Sequence, residues 1–407
     1  MFIRGLILLI IVGGALVHLL VEFLNLSRLT NQIPDEFKEI YDPKKYKTSQ
    51  EYLKTNTFLD LIQTAITTPL LTAFIVFGGF QIIDSFARSF ELQEMVTAVI
   101  FVATLSLLST LLSLPFSIYH TFVIEERFGF NKMTWKTFVL DRIKGLLLMA
   151  IIGIPVFLVV LWFFQQEQMW IWAWLFTVSV EIFMLFVAPV VIFPLFNKFE
   201  PLEEGELKSE IEKFAKSQNF KLQGIFKMDG SKRSTKANAY FTGFGRFRRI
   251  VLFDTLIQKH SVNELVAILA HEIGHYKRGH IFKQLTLSIS TSLLLFFFLS
   301  KVIYNEEVFE AFHVEQMSVY AGLVFAGLLY SPVSSILGLF SLYLSRLYEF
   351  EADAYASATT HKPEDLVSGL KRLSVDSLSN LSPHPVKVFL EYTHPPVLDR
   401  VAALRKN

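Results

Sequence analysis

The run FIRGLILLIIVGGALVHLLVEFL, Phe2 to Leu24, decides the fold class of this chain. A helix needs about 20 mostly apolar residues to cross a hydrocarbon core about 30 Å thick, and this run supplies them with only Arg4, His18 and Glu22 as interruptions. A secretory leader would have a shorter apolar core closed by a small-residue cleavage site, so the run reads as a retained anchor. Comparable blocks recur near Phe58 to Ile83, Val96 to Ile118, Gly145 to Phe164, Met169 to Phe193, Leu285 to Tyr304 and Met317 to Leu344. Of the 407 residues 52% are hydrophobic and 18% charged. Their grouping into such blocks marks a polytopic membrane protein, mainly α, with about seven transmembrane helices.

Working outward, the loops give an orientation. With seven spans, the loops after the first, third and fifth and the C-terminal segment share one side and carry nearly all of the Lys and Arg, while the other side has Arg4, Arg88 and Lys301 and an acidic loop with Glu306, Glu307, Glu310 and Glu315. The positive-inside rule puts the first side in the cytoplasm. Four segments follow: residues 1–196 with five spans, 197–282 as the first part of a polar domain, 283–345 with spans six and seven, and 346–407 as the second part. The net charge of +1 says nothing about nucleic acid, and with no basic tract interleaved with aromatics no nucleic-acid partner is expected. The absence of cysteine excludes disulfides, thiolate metal ligands and a thiol nucleophile.

Polar residues inside the spans leave two readings open. Glu181 in the fifth, Ser288, Ser290, Thr291 and Ser292 in the sixth, and Ser331, Ser334, Ser335 and Ser341 in the seventh fit either a watery cavity or hydrogen bonds between helices. Pro155, Pro189, Pro194 and Pro332 are expected to kink or end their helices.

In the polar interval, Glu204 to Gln218 has the spacing of an amphipathic helix, and strand-like runs follow at Gly224 to Met228, Asn238 to Phe241 and Arg249 to Phe253. Ser261-Val262-Asn263-Glu264 is a capping box. It opens a helix carrying His271-Glu272-Ile273-Gly274-His275, an H-E-x-x-H motif. Residues i and i+4 share a helix face, so both imidazoles can hold one zinc ion while Glu272 acts on water beside it. The strand Asn238-Ala239-Tyr240 just upstream is a candidate edge for binding a substrate backbone by strand addition. A peptidase zinc takes a third protein ligand and leaves a position for water. His280 is out of register for the spacing H-E-x-x-H-x-x-G-x-x-H, because Arg278 and Ile281 stand where Gly and His are needed. The other candidate is Ser345 to Asp353, where Glu349 and Asp353 are i and i+4: Glu349 could ligate and Asp353 could hold a ligand imidazole's second N–H. The same spacing also suits a solvated acidic helix start.

Six segments together resemble the membrane-integral zinc metallopeptidases called CAAX prenyl protease 1, a branch of peptidase family M48: IEERFGFNK (Ile124 to Lys132), FPLFNKFEPL (Phe193 to Leu202), MDGSKRSTKANAYFTG (Met228 to Gly243), HEIGHYKRGH (His271 to His280), SRLYEFEAD (Ser345 to Asp353) and SPHPVKVFLEYTHPPVL (Ser382 to Leu398). The resemblance implies seven transmembrane helices ringing a hydrophilic chamber, with a gluzincin-like zinc peptidase domain at its cytoplasmic end. It implies one Zn2+ per chain held by His271, His275 and Glu349, Glu272 as general base, Asp353 supporting a ligand, Asn238 and Ala239 at the substrate edge, and His394 touching the substrate or its developing oxyanion. Arg346 and Arg400 are expected to order the carboxylates.

The implied partner is a peptide or protein substrate; eukaryotic members remove the terminal tripeptide of a prenylated C-a-a-X protein and can cut again upstream. The cysteine-free composition and the ending Leu404-Arg405-Lys406-Asn407, which is not a dilysine signal, favour a bacterial inner membrane over the ER membrane. There an HtpX-like quality-control protease is the alternative, although such chains have fewer spans. A site-2-type intramembrane protease would bury its H-E-x-x-H in an apolar span, whereas Tyr276-Lys277-Arg278 follows here. The non-enzyme alternative is a transporter or receptor with a structural zinc closed by four protein ligands. Nothing in the sequence sets an oligomeric state.

Overall fold

The protein is described by a computed structural model covering residues 2–166, 168–242 and 248–406. Gly243, which closes the motif beginning at Met228, lies outside the described residues. Among the described residues, seven helices are long and apolar enough to cross a membrane: Phe2–Leu26, Pro43–Val76, Glu94–Arg127, Trp135–Gln165, Trp170–Phe196, His280–Val302 and Val319–Thr360. Each packs on its neighbours in sequence, and the seventh returns to the first, closing a ring.

The ring is hollow. The most apolar windows of the seven spans are only 0–17% buried within the protein, far less than a packed bundle would bury. Their buried residues gather at one end, where Ile7, Ile75, Phe101, Leu161, Phe296 and Phe325 belong to a single apolar core. Phe80 and Ile83 join this core from a short helix, Gly79–Arg88. A second core lies at the other end in the polar domain, built on Ile211, Ile225, Leu252, Leu269, Val367 and Val401. Between the two cores the spans enclose a chamber. Arg4 at the start of span one donates to the carbonyls of Ala311 and Glu310 in the loop between spans six and seven. The start of span one and this loop therefore meet at the end away from the polar domain, as the six spans between them require.

Two spans differ from their apolar blocks. Span two begins at Pro43, where Asp42 caps the helix by accepting from the N–H groups of Lys44 and Lys45 at 2.9 and 3.1 Å, and it ends at Val76 instead of reaching Ile83. Gly78 takes a left-handed φ of 73° and breaks the helix; hydropathy sees the apolar run through Ile83 but not that turn. Span seven continues for 42 residues, about 63 Å at 1.5 Å per residue, about twice what a bilayer core needs, so its C-terminal half carries Glu349 and Asp353 into the polar domain. Pro332 does not end it. The carbonyl of Leu328 that Pro332 leaves without an N–H accepts from the Ser331 hydroxyl at 2.9 Å. Pro189 lies in the wide helical turn Ala188–Ile192, and Pro155 follows the similar turn Met149–Gly153.

The spans' polar residues serve largely as helix-to-helix or own-backbone bonds. Ser288 donates to Glu181 at 2.8 Å and Trp174 to Ser292 at 3.1 Å, joining spans five and six.

The polar domain holds a four-stranded sheet: β1 (Phe199–Pro201), β2 (Gly224–Met228), β3 (Ala239–Thr242) and β4 (Arg249–Phe253), in the order β1-β2-β4-β3. Only β2 and β4 are parallel. β1 is too short to show in the sequence pattern. β3 lies at the sheet edge and pairs Ala239 with Leu252 and Tyr240 with Val251. The segment leading into it is tied to the membrane region: Arg233 forks onto Asp141 at 2.8 and 3.0 Å, and Lys236 pairs with Glu125 at 3.0 Å and donates to the Tyr52 hydroxyl at 2.9 Å.

Candidate metal centre and cleft

The helix Val262–Lys277 starts as its capping box requires: Ser261 accepts from the Glu264 N–H at 3.3 Å, and Glu264 accepts from the Ser261 N–H at 3.0 Å. It packs against the end of span seven at Gly274, where an added Cβ would stand 3.1 Å from both the Cα and the carbonyl oxygen of Ala352. That close approach brings the two motif-bearing helices together face to face.

Three donor atoms converge there. The Nε2 atoms of His271 and His275 are 3.1 Å apart; Glu349 carboxylate oxygens lie 3.5 Å from the first and 3.3 Å from the second. Ligand atoms of a tetrahedral zinc site with bonds of 2.0–2.1 Å stand about 3.3–3.4 Å from one another. The spacings among the three residues are close to those of such a site, with His271 facing Oε2 and His275 facing Oε1 of Glu349. The donor set fits a zinc ion.

The surroundings prepare these atoms. Burial works against a charged His271, but hydrogen bonds to Asp353 and Glu349 outweigh it and push the imidazole up to about 9. Asp353 accepts from His271 Nδ1 at 2.8 Å, which leaves Nε2 as the free donor. Arg400 forks onto Asp353 at 2.8 and 2.7 Å and reaches Glu349 at 3.2 Å. It orders both carboxylates, as expected. Arg346 does not: it donates to the carbonyls of Val388 and Tyr392 at 3.0 and 2.7 Å, bracing the segment that carries His394.

Glu272 lines a cavity of about 140 Å³ together with His271, Glu349, Asn238, Ala239 and His394. Burial pushes its carboxyl above the usual range, as suits a group that must both take and return a proton. His394 is exposed at the mouth, with Nε2 3.3 Å from Glu349. Asn238 and Ala239 reach the cavity, but Tyr240 is not among its lining residues. The Tyr240 ring packs against Phe193 and Phe253, its hydroxyl points at Met228, and burial pushes it up to about 12. Backbone direction separates the three as well. The Asn238 carbonyl accepts from Phe253 N–H at 3.0 Å; by the alternation of an antiparallel ladder Tyr240 also faces β4, and Ala239 turns its N–H and C=O to the outer edge, where the N–H donates to Asn238 Oδ1 at 2.9 Å.

Sequence reasoning gave no role to His280 or Glu351, yet His280 lies 2.9 Å from His275 and Glu351 lies 3.0 Å from His280. The signal was confined to their presence in two motifs; their meeting depends on how those segments fold together.

Comparisons with known proteins give a consistent result. Residues 22–198 match a family model described as CAAX prenyl protease N-terminal, five membrane helices, and residues 201–407 match peptidase family M48. A CAAX prenyl protease 1 homolog of Mus musculus is 33% identical, with 93% of this chain and 90% of that protein covered. CAAX prenyl protease 1 of Saccharomyces cerevisiae is 37% identical over 75% of this chain and 71% of its own length. The crystal structure of S. mikatae Ste24p superposes with a TM-score of 0.93 at 30% identity, covering 98% of both chains.

Proposed function

This chain belongs to peptidase family M48, and from that premise we propose that this membrane zinc metalloprotease of the CAAX prenyl protease 1 type hydrolyses peptide bonds near the C-terminus of prenylated C-a-a-X substrates. The peptidase domain is formed by residues 197–282 and 346–407, facing the cytoplasm; the charge of the loops supports that orientation, and a cysteine-free composition supports a bacterial inner membrane. The observation that carries the reading is the convergence of His271, His275 and Glu349 beside Glu272 at the chamber's end.

In this reading His271, His275 and Glu349 hold one zinc ion. When bound, zinc supplies Lewis acidity that makes water nucleophilic near neutral pH and polarises a carbonyl. The substrate backbone adds to the outer edge at Ala239 beside Asn238, and Tyr240 supports that edge from its other face. Glu272 takes a proton from the attacking water onto a carboxylate oxygen and returns it to the leaving amine. Asp353 holds the Nδ1–H of His271, and Arg400 balances the charge of Asp353 and Glu349. His394 Nε2, at the mouth, donates to the carbonyl oxygen as it gains negative charge.

The test compares a farnesylated C-a-a-X peptide with its unprenylated twin, using detergent-purified protein with and without a zinc chelator. Chelator-sensitive cutting that prefers the farnesylated peptide is expected. Glu272→Gln should retain zinc and lose about 10²–10⁴ in turnover, whereas Glu349→Gln should lose zinc itself. Wild-type turnover by the first variant would remove Glu272 from its role, and full zinc content in the second would place the third ligand elsewhere. Equal cutting of both peptides would replace prenyl recognition by a broad, HtpX-like quality-control activity.

A further inference from the structure

His275 and His271 have the same task in the proposed function, but the structure supports them differently. His271 Nδ1 meets a carboxylate directly. His275 Nδ1 instead meets a third imidazole, His280 Nδ1, at 2.9 Å, and His280 Nε2 meets Glu351 at 3.0 Å. Gly279, with φ at 70°, turns the chain so that His280 starts span six beneath His275. His280 is buried, 1% exposed, and its ring stacks on Tyr348 with centroids 4.3 Å apart and planes 13° apart. The ring is therefore fixed in its plane with one nitrogen towards each partner.

The proton inventory allows one arrangement. If His275 offers the Nε2 lone pair to a metal, its hydrogen sits on Nδ1 and must be donated. His280 Nδ1 then accepts, so the hydrogen of His280 sits on Nε2 and is donated to the Glu351 carboxylate, which only accepts when ionised. Lys283, 3.8 Å from Glu351, favours that ionised form. Every donor along the path meets an acceptor.

We propose that His280 and Glu351 are positioning residues that fix the tautomer and plane of His275, so that the second imidazole ligand acquires its carboxylate support through a histidine relay. The proposal rests on the reading of His275 as a metal ligand. Second-shell support of this kind typically changes metal affinity by about 10–100-fold.

The experiment is zinc competition with a chromophoric chelator, on full-length purified protein, for wild type, His275→Ala, His280→Phe and His280→Asn. Phe keeps a ring against Tyr348 but has no acceptor; Asn has no ring but places Oδ1 where His280 has Nδ1. The expected result is an affinity about 10–100-fold weaker in His280→Phe and a smaller loss in His280→Asn, which keeps the acceptor for His275 but not the donor to Glu351. Unchanged affinity in His280→Phe overturns the proposal. So does an equal loss in Phe and Asn variants, which would show that the acceptor at the Nδ1 position makes no difference. Thermal unfolding of each metal-free protein accompanies the titrations, and His280→Ala replaces His280→Phe if the latter does not fold. An unchanged affinity in His275→Ala would overturn the ligand assignment beneath the proposal, a failure separate from that of the relay.

Discussion

At the residue scale, Arg400 carries the most concentrated electrostatic load outside the ligand set. It is 8% exposed and stands between Asp353 and Glu349, which are 2% and 4% exposed. Replacing it with Met keeps the volume but leaves two buried carboxylates sharing the His271 imidazole as their remaining partner. Removing one member of a buried ion pair costs about 3–5 kcal/mol, because the remaining charge stays desolvated. Arg400→Met should therefore unfold at markedly lower temperature than wild type when both are metal-free, and added zinc should recover part of the difference, since the metal shares Glu349's charge. Lys at this position should not restore stability, because one ammonium cannot fork onto a carboxylate as the guanidinium does. Unchanged melting of the metal-free Met variant would show that the carboxylates are balanced by other groups. Arg400 itself was legible in the sequence as an Arg suited to ordering carboxylates. The opposite duty of Arg346 was not, since its partners are main-chain carbonyls 42 and 46 residues away and a backbone acceptor leaves no mark in a sequence.

At the scale of elements, the contact between the helix Val262–Lys277 and the last turns of span seven sets the ligand spacing, and Gly274 sets that contact. Its neighbours across the interface are the backbone of Ala352 and Cβ of Tyr355 at 3.1–3.2 Å, none of them the far end of a flexible side chain. Gly274→Ala gains helix propensity of up to about 1 kcal/mol, yet the new methyl forces the helices apart, and overpacking of this kind typically costs about 1–3 kcal/mol. The expected outcome is a modest loss of stability with a larger loss of zinc affinity, because Glu349 moves away from His271 and His275 together. Calorimetry with zinc titration checks it; a variant that binds zinc as wild type does would mean that the interface yields without moving the ligands. The capping box and three of the four strands could be read from the sequence because their signals are local. The end of span two could not, because the apolar run continues past the glycine turn at Gly78, and the length of span seven could not, because hydropathy ends where the helix leaves lipid.

At the scale of the whole molecule, the number of spans was legible because each meets the bilayer's length requirement separately, whereas the hollow between them is a property of packing. Span three carries a polar stripe: Ser106, Thr110, Ser113 and Ser117 follow one another at four, three and four residues, on one helical face, with Ser106 and Ser113 exposed. Ser117 receives Arg142 of span four at 2.5 Å. A guanidinium is costly in hydrocarbon and generally faces a bundle interior or a water-filled cavity, so the stripe's face should be wet and the opposite face, with Leu108, should meet lipid. The chain has no cysteine, so single-cysteine variants give an unambiguous readout. In proteoliposomes, Ser113→Cys should react with a water-soluble maleimide although it lies well inside a membrane span, and Leu108→Cys should remain protected. The reverse pattern would turn span three around and put its polar stripe in lipid. Reaction at Ser113→Cys connects the chamber to bulk water, the condition under which a peptide segment could reach His271, His275 and Glu349 from within the ring.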